Sequence, residues 1–274
     1  MAPITGIGVR LDLDGPRPVA PPYSLLKTPG VVVSDDGRWM NGVNLDTYPT
    51  DVPVVWDPCS AGTFRTKDDG SGSLVPQFDP FVIYIPATCS TFSLGRLKEM
   101  LAASFDAMQS YGAELGFAAG VTGMGNPFLA DGSLTQLGAG AISAAEGLAR
   151  LENAIGATGQ GGIIHLTPAI LSVLKADKVE ADETGALITA NGTPVAVGGG
   201  YQDIRPSGKA APSDGQDWMY ATGPVEVRLG PITITDLVTS LDRSDNTVTF
   251  RAERAVLATW DTALQVGVLV DWAP

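Results

Sequence analysis

The sequence predicts an α+β chain with many short strands, numerous turns and few helices, and three observations carry that reading. Hydrophobic residues make up 44% of the chain against 17% charged, the balance of a folded protein rather than a disordered one. The 33 glycines and 20 prolines cluster between apolar runs, where they punctuate strands and turns. Only one stretch, near residues 94–117, sustains helical spacing over about 25 residues, a rod of ~38 Å at 1.5 Å per residue. At 274 residues the chain can bury a substantial core.

The elements follow in order. Residues 1–50 read as an extended arm, because prolines at 16, 18, 21, 22 and 29 exclude helix interiors and central strands. Such an arm buries little against itself; it is either a loose tail or laid across something else, a neighbouring subunit included. Residues 54–90 read as one long hairpin, with "GTFRTK" and "FVIYIPA" as strands around the turn-rich "DDGSGSLVPQFDP". A pairing centred on position 74 places Phe64 opposite Tyr84 and Cys59 opposite Cys89. Two readings stay open for the cysteines: a disulfide at the hairpin base, contributing roughly 3.5 kcal/mol on the chain-entropy model, or two reduced thiols. In the long helix Leu97, Leu101, Phe105, Met108 and Leu115 recur at spacings of mostly three and four, and Arg96, Lys98, Glu99 and Asp106 mark the opposite face.

Ser143 and Glu146 form the S-x-x-E signature of a helix start. Ile142, Ala145, Leu148, Leu151 and Ile155 follow at helical spacing, and Gly156 is the expected stop. "GGIIHL" predicts a short strand, and Thr167–Pro168 opens a third helix. "ALITANGTPVAV" predicts a hairpin with a type I′ turn at Asn191–Gly192. Strands are expected in "WMYATGPVEVRLGPITIT", "NTVTFRAERAVLATW" and "ALQVGVLV", with "QDIRPSGKAAPSDGQD" as an exposed loop. The strand-like character of the last segment is unusual, since chain ends commonly fray.

Charge and motifs exclude several functions. A formal charge of −13 argues against a sequence reader of nucleic acid. No apolar run approaches the ~20 residues that span a bilayer. "MAPITGIGVRLDLDG" lacks the pattern of a secretory leader, so folding in a cytoplasm is expected. The single histidine, His165, has no G-x-S-x-G elbow to serve and reads as a packed residue. "GATGQGG" has a helix before it and a strand after it, the reverse of a phosphate loop. Asp177, Glu180, Asp182 and Glu183 lack the D-x-D-x-D-G order of a calcium loop and read as a solvated face. The expectation is no enzyme, no catalytic residues, no cofactor and no metal.

The order of these elements resembles the major capsid proteins of tailed bacteriophages, the coat fold named after the Hong Kong phage (Hong Kong 97-type). The resemblance rests on Glu114, Phe117, Gly120, Gly125, Asn126 and Pro127 after the long helix, and on the strand–T-P–helix unit at Ile163–Leu174. It is completed by Arg251, Glu253, Arg254, Asp261 and Ala263 near the end. It implies an N-terminal arm (1–50), an extended-loop hairpin (51–92), a peripheral domain with the spine helix (93–129 and 224–258), and an axial domain with a mixed central sheet (130–223 and 259–274). It places the C-terminal strand inside the axial sheet. The implied function is a coat subunit that self-assembles as pentamers and hexamers into an icosahedral head, enclosing double-stranded DNA without reading its sequence. Such a protein resides in the virion, is assembled in the host cytoplasm and touches no membrane. A portal and a decoration protein are further partners the resemblance implies, and the short arm implies either a separate scaffolding protein or none at all. Arg65 and Lys67 of the hairpin are expected to meet Glu99 or Asp106 of a neighbour. Encapsulin-type shell proteins share the fold and form the alternative. A tail or decoration protein would have little use for the long helix, and against a hydrolase with an unread site stands the absence of His, Cys or metal clusters in the sequence.

Overall fold

The computed structural model describes residues 16–28, 32–34, 37–45, 76–90, 94–174, 177–236 and 247–273. A 3-10 turn at Leu25–Lys27 leads to β1 (Val32–Ser34), a second 3-10 turn (Gly37–Asn41), β2 (Val43–Asn44), β3 (Gln77–Phe78) and β4 (Phe81–Ser90). Then come α1 (Leu94–Ala119), β5 (Thr135–Gln136), β6 (Ile142–Ser143), α2 (Ala144–Ala157), β7 (Ile163–Leu166) and α3 (Pro168–Leu174). The chain continues through β8 (Val179–Ala181), β9 (Leu187–Thr189), β10 (Val195–Val197) and a 3-10 turn at Gly199–Tyr201. It finishes with β11 (Gln216–Thr222), β12 (Val225–Leu229), β13 (Thr233–Asp236), β14 (Thr247–Trp260) and β15 (Gln265–Asp271).

Two sheets organise the described residues. The first is built on β14, which pairs antiparallel with β4 from Val256↔Phe81 to Thr247↔Ser90. Along β14 also run β12 and β13, and β1 joins β12 in parallel. From Leu229↔Val256 to Thr233↔Glu253 one strand advances a residue further than its partner, which is a β-bulge. Its backbone remains satisfied: Gly230 donates to the Ala255 carbonyl at 2.9 Å, and the Arg254 guanidinium donates to the Gly230 carbonyl. Pro231, lacking an N–H, sits where a ladder bond is interrupted anyway.

The second sheet has the order β10-β7-β11-β15-β5, with β6 also on β15. The C-terminal strand is thus interior: it pairs with β11 over seven residues on one edge, and with β5 and β6 on the other. Val268 and Val270 are fully buried. Helix α2 covers this sheet at close range, because a Cβ on Gly147 would fall 2.5 Å from a Val270 methyl.

Local chemistry explains the helices and two departures from expectation. Ser143 caps α2, its hydroxyl accepting from the Glu146 N–H at 3.3 Å. The Glu146 carboxylate turns instead to Arg150 at 2.6 Å, so only half of the reciprocal cap forms. Helix α2 runs through Gly156 to Ala157; Gly159, at φ +69°, makes the left-handed exit, because there the chain must turn toward β7. The turn before β10 is likewise not type I′. Gly192 N–H bonds to the Thr189 carbonyl and Gly192 alone has positive φ, so Asn191 stays in ordinary backbone space. The two arms of this expected hairpin then part. β9 pairs with β8, while the wholly buried β10 leaves to pair in parallel with β7. For the hairpin predicted over 54–90, β4 supplies the returning strand, and residues 54–75 lie outside the described residues.

Candidate assembly surface

Helix α1 is apolar on more than one face. One side enters the core: Leu101 and Phe105 pack with Phe250 and Ala252 of β14. Further along, Phe117 meets Trp260 edge-on at 4.8 Å, and Phe78 meets the same indole at 5.3 Å. Strand β4 comes close to the helix because two positions carry no side chain. A Cβ on Gly112 would lie 3.0 Å from Ile83 Cγ2, and one on Gly116 would enter the Phe81 ring.

The other side is uncovered. Met100, Met108, Tyr111 and Leu115 are 52%, 54%, 51% and 41% exposed, and they recur at helical spacing. Val82 and Tyr84 of β4 are 57% and 59% exposed beside them. Met108, Tyr111, Leu115, Val82 and Tyr84 line a groove of about 580 Å³ that continues to Val121. Burying such a surface would be favourable at roughly 25 cal/mol per Å² of apolar area. Met108 and Leu115, which the periodicity grouped with the core, belong to this outer stripe. The helix turns 100° per residue, so spacings of three and four admit two adjacent stripes, and only packing separates them.

The charged residues predicted at an interface are partly in view. Glu99 and Asp106 are exposed on α1, two turns apart on one face. Asp106 accepts from Gln109 Nε2 at 2.9 Å, and Gln109 Oε1 accepts in turn from Arg254 Nη1. Arg65, Lys67 and Cys59 lie outside the described residues. Cys89 stands opposite Val248 in the β4–β14 ladder, and its proposed pairing with Cys59, like that of Phe64 with Tyr84, lies outside the described residues. Sequence reasoning missed two cation–aromatic contacts that brace this sheet: Lys98 over Phe250 at 5.4 Å and Arg251 over Tyr84 at 5.8 Å.

Among the described residues Glu114, His165 and Asp217 are buried acid–base groups, and burial raises the Asp217 carboxyl to about 6. Glu114, 2% exposed, accepts from the Leu25 N–H and the Gly200 N–H, each at 3.2 Å. Burial pushes its carboxyl up to about 7, against the opposing effect of those two bonds. His165 is fully buried on β7 and hydrogen-bonded to the Tyr201 hydroxyl at 3.2 Å and the Thr222 hydroxyl at 3.0 Å, with the Phe117 ring 5.2 Å away. Burial lowers it to about 3, so the imidazole is neutral. This is the packed histidine the sequence suggested. Among the described residues no three of His, Cys, Asp and Glu gather as metal ligands, and no helix is long and apolar enough to cross a membrane. Asp177, Glu180, Asp182 and Glu183 line the exposed β8–β9 region, where Asp182 accepts from the Thr184 and Ala186 N–H groups.

No protein-family model matches the sequence, and no curated protein matches it. Solved structures do match over nearly the whole chain. A chain of Mycobacterium phage Che8 is similar with a TM-score of 0.54 at 12% identity, covering 99% of this chain and 99% of that one. The capsid of a native GTA particle gives 0.52 at 12% identity, covering 100% and 96%. The holo-SrpI encapsulin complex from Synechococcus elongatus PCC 7942 gives 0.55 at 12% identity, covering 97% and 92%. The chain therefore has the α+β, Hong Kong 97-type fold of capsid shells. That agrees with the fold the sequence resembled, including the interior place of its last strand.

Proposed function

We propose that this chain is the coat subunit of a tailed-bacteriophage head, which self-assembles into an icosahedral shell around double-stranded DNA. The observation that carries this is the second apolar face of α1, continuous with Val82 and Tyr84 of β4 and left open by the described residues. A 26-residue helix with apolar side chains on both faces calls for a partner over the face that the described residues leave open. The fold supplies the partner: a second copy, as in the GTA capsids that share it. Each subunit then makes several contacts of the ~1,600 Å² standard size, individually weak and collectively strong around a closed lattice.

In this reading residues 1–50 are the arm, 51–92 the extended loop, 93–129 and 224–258 the peripheral domain, and 130–223 with 259–274 the axial domain. Arg65 and Lys67 meet Glu99 or Asp106 of the next copy. The role is structural and not enzymatic, with the virion as the site of residence, assembly in the host cytoplasm, and a scaffolding protein, portal and decoration protein as further partners. An encapsulin-type compartment is the second reading, favoured by the equally good match to the encapsulin shell.

The test is to express the chain alone and examine it by size-exclusion chromatography and negative-stain microscopy. Closed shells, or rings of five and six, are expected. Particle diameter and nucleic-acid content separate head from compartment. A chain that stays monomeric even when co-expressed with its genomic neighbours overturns the coat reading.

A further inference from the structure

Glu114 is placed where three distant parts of the chain meet. Its carboxylate takes the N–H of Leu25, 89 residues away in sequence, and the N–H of Gly200, 86 residues away. Both donors come from short 3-10 turns, one in the proline-rich arm and one before β11. The fit leaves no slack. A Cβ on Gly198 would occupy the space of the carboxylate itself, and one on Gly200 would fall 2.8 Å from the Tyr111 carbonyl and the Leu115 nitrogen of α1. An ionised carboxylate so enclosed is costly unless well paired. What binds it here is two backbone N–H groups.

We propose that Glu114 is a proton-operated latch: the arm turn at residues 24–28 and the turn at 198–201 close over its carboxyl group as it takes up one proton, and loosen as the proton leaves. The direction follows from linkage. Closed, Glu114 titrates near 7; opened to water it returns toward 4.5. The closed form therefore binds the proton more tightly, so closure strengthens as pH falls from 8 to 6, by about tenfold. Of the other described groups with a shifted value, only Asp217 of β11, raised to about 6 by burial, touches the lower edge of this window. Tyr201, on the 198–201 side, is held neutral first by burial and then by the charge of Glu114. His165, behind Tyr201, is neutral above about 3. Tyr111 lies one turn earlier on α1, and on the arm side Ser24 is uncharged while Lys27 Nζ turns away to the Pro21 carbonyl at 3.0 Å. The latch is a property of one folded chain and holds whatever that chain assembles into.

Hydrogen–deuterium exchange with mass spectrometry tests it on the full-length protein, in whatever assembled state it adopts. Wild type and Glu114→Gln are compared from pH 6 to pH 8, after correction for intrinsic exchange rates. Protection of the 16–28 segment is expected to fall about tenfold in wild type and to stay level in the glutamine variant, which cannot titrate. A level wild-type profile, or the same fall in both, overturns the latch. Should Glu114→Gln fail to fold, the wild type still decides. The 198–201 segment must loosen at the same midpoint as the arm, and loosening of either alone, or in the opposite direction, overturns the proposal.

Discussion

The sheet under α2 and the sheet under α1 use the same ingredients in opposite ways. Ala144, Gly147, Leu148, Leu151 and Ile155 of α2 are all buried on a single stripe, facing Val266, Val268 and Val270 of β15, while the other face is given to solvent. Helix α1 buries Leu101, Phe105 and Phe117 and then exposes Met100, Met108, Tyr111 and Leu115 on a second stripe. One region closes its core within the chain. The other keeps apolar surface that the described chain does not cover, and under the coat reading the difference marks where stability ends and association begins.

Removing a side chain from the closed region should have the largest effect on the single chain. Leu151→Ala deletes a fully buried side chain and is expected to destabilise by about 2–5 kcal/mol, read by urea denaturation. Next in size are two opposed pH slopes. His165 has a folded value below its free one, so its contribution is lost as pH falls from 6.5 toward 3. Glu114 has a raised folded value, so its contribution is greatest below 4.5 and is lost as pH rises to about 7. Each slope approaches ~1.4 kcal/mol per pH unit. Asp217, raised to about 6 by burial, adds a second falling slope between 3.8 and 6. Glu114→Gln should therefore remove the fall between 6.5 and 7 and flatten that between 4.5 and 6, whereas His165→Gln should leave stability falling throughout 4.5 to 7. Thermal unfolding across that range checks both signs.

Ser143→Ala removes the α2 cap and should cost about 1 kcal/mol, again by denaturation. The smallest effect on the chain carries the sharpest contrast. Tyr111→Ser with Leu115→Ser lies on the open stripe and should change unfolding free energy by less than about 0.5 kcal/mol per site. Under the coat reading the same pair abolishes shells in the microscope. Normal shells from that variant would make the two regions alike and remove the argument from the groove.

Much of the closed region was legible from local pattern. The Ser143–Glu146 cap, the Leu148, Leu151 and Ile155 part of the α2 stripe, the Thr167–Pro168 helix start and the buried "IIHL" strand each express a preference that acts within a few residues. Ala145, expected on that stripe, is exposed while Ala144 and Gly147 are buried, and Ile142 lies in β6. The open region was legible only in part. Spacing showed that α1 is a helix and not that Met108 and Leu115 face outward, since helical periodicity cannot distinguish a wide apolar face from two. Glu114 was visible as part of a motif, whereas its donors come from residues 89 and 86 positions away.

By itself the sequence determined many of the elements: where helices start, where strands alternate, and that the last segment is an apolar strand, whose interior place only the resemblance implied. These rest on backbone preferences and hydrophobic periods that any short window contains. Tertiary structure alone decided that β10 leaves its hairpin neighbour for β7, that the exit from α2 falls at Gly159, and that β12 and β13 share β14 across a bulge. It also decided which stripe of α1 stays open. Each of these is a choice between partners of similar local preference, and it is settled by which arrangement buries the most apolar surface with every backbone group bonded.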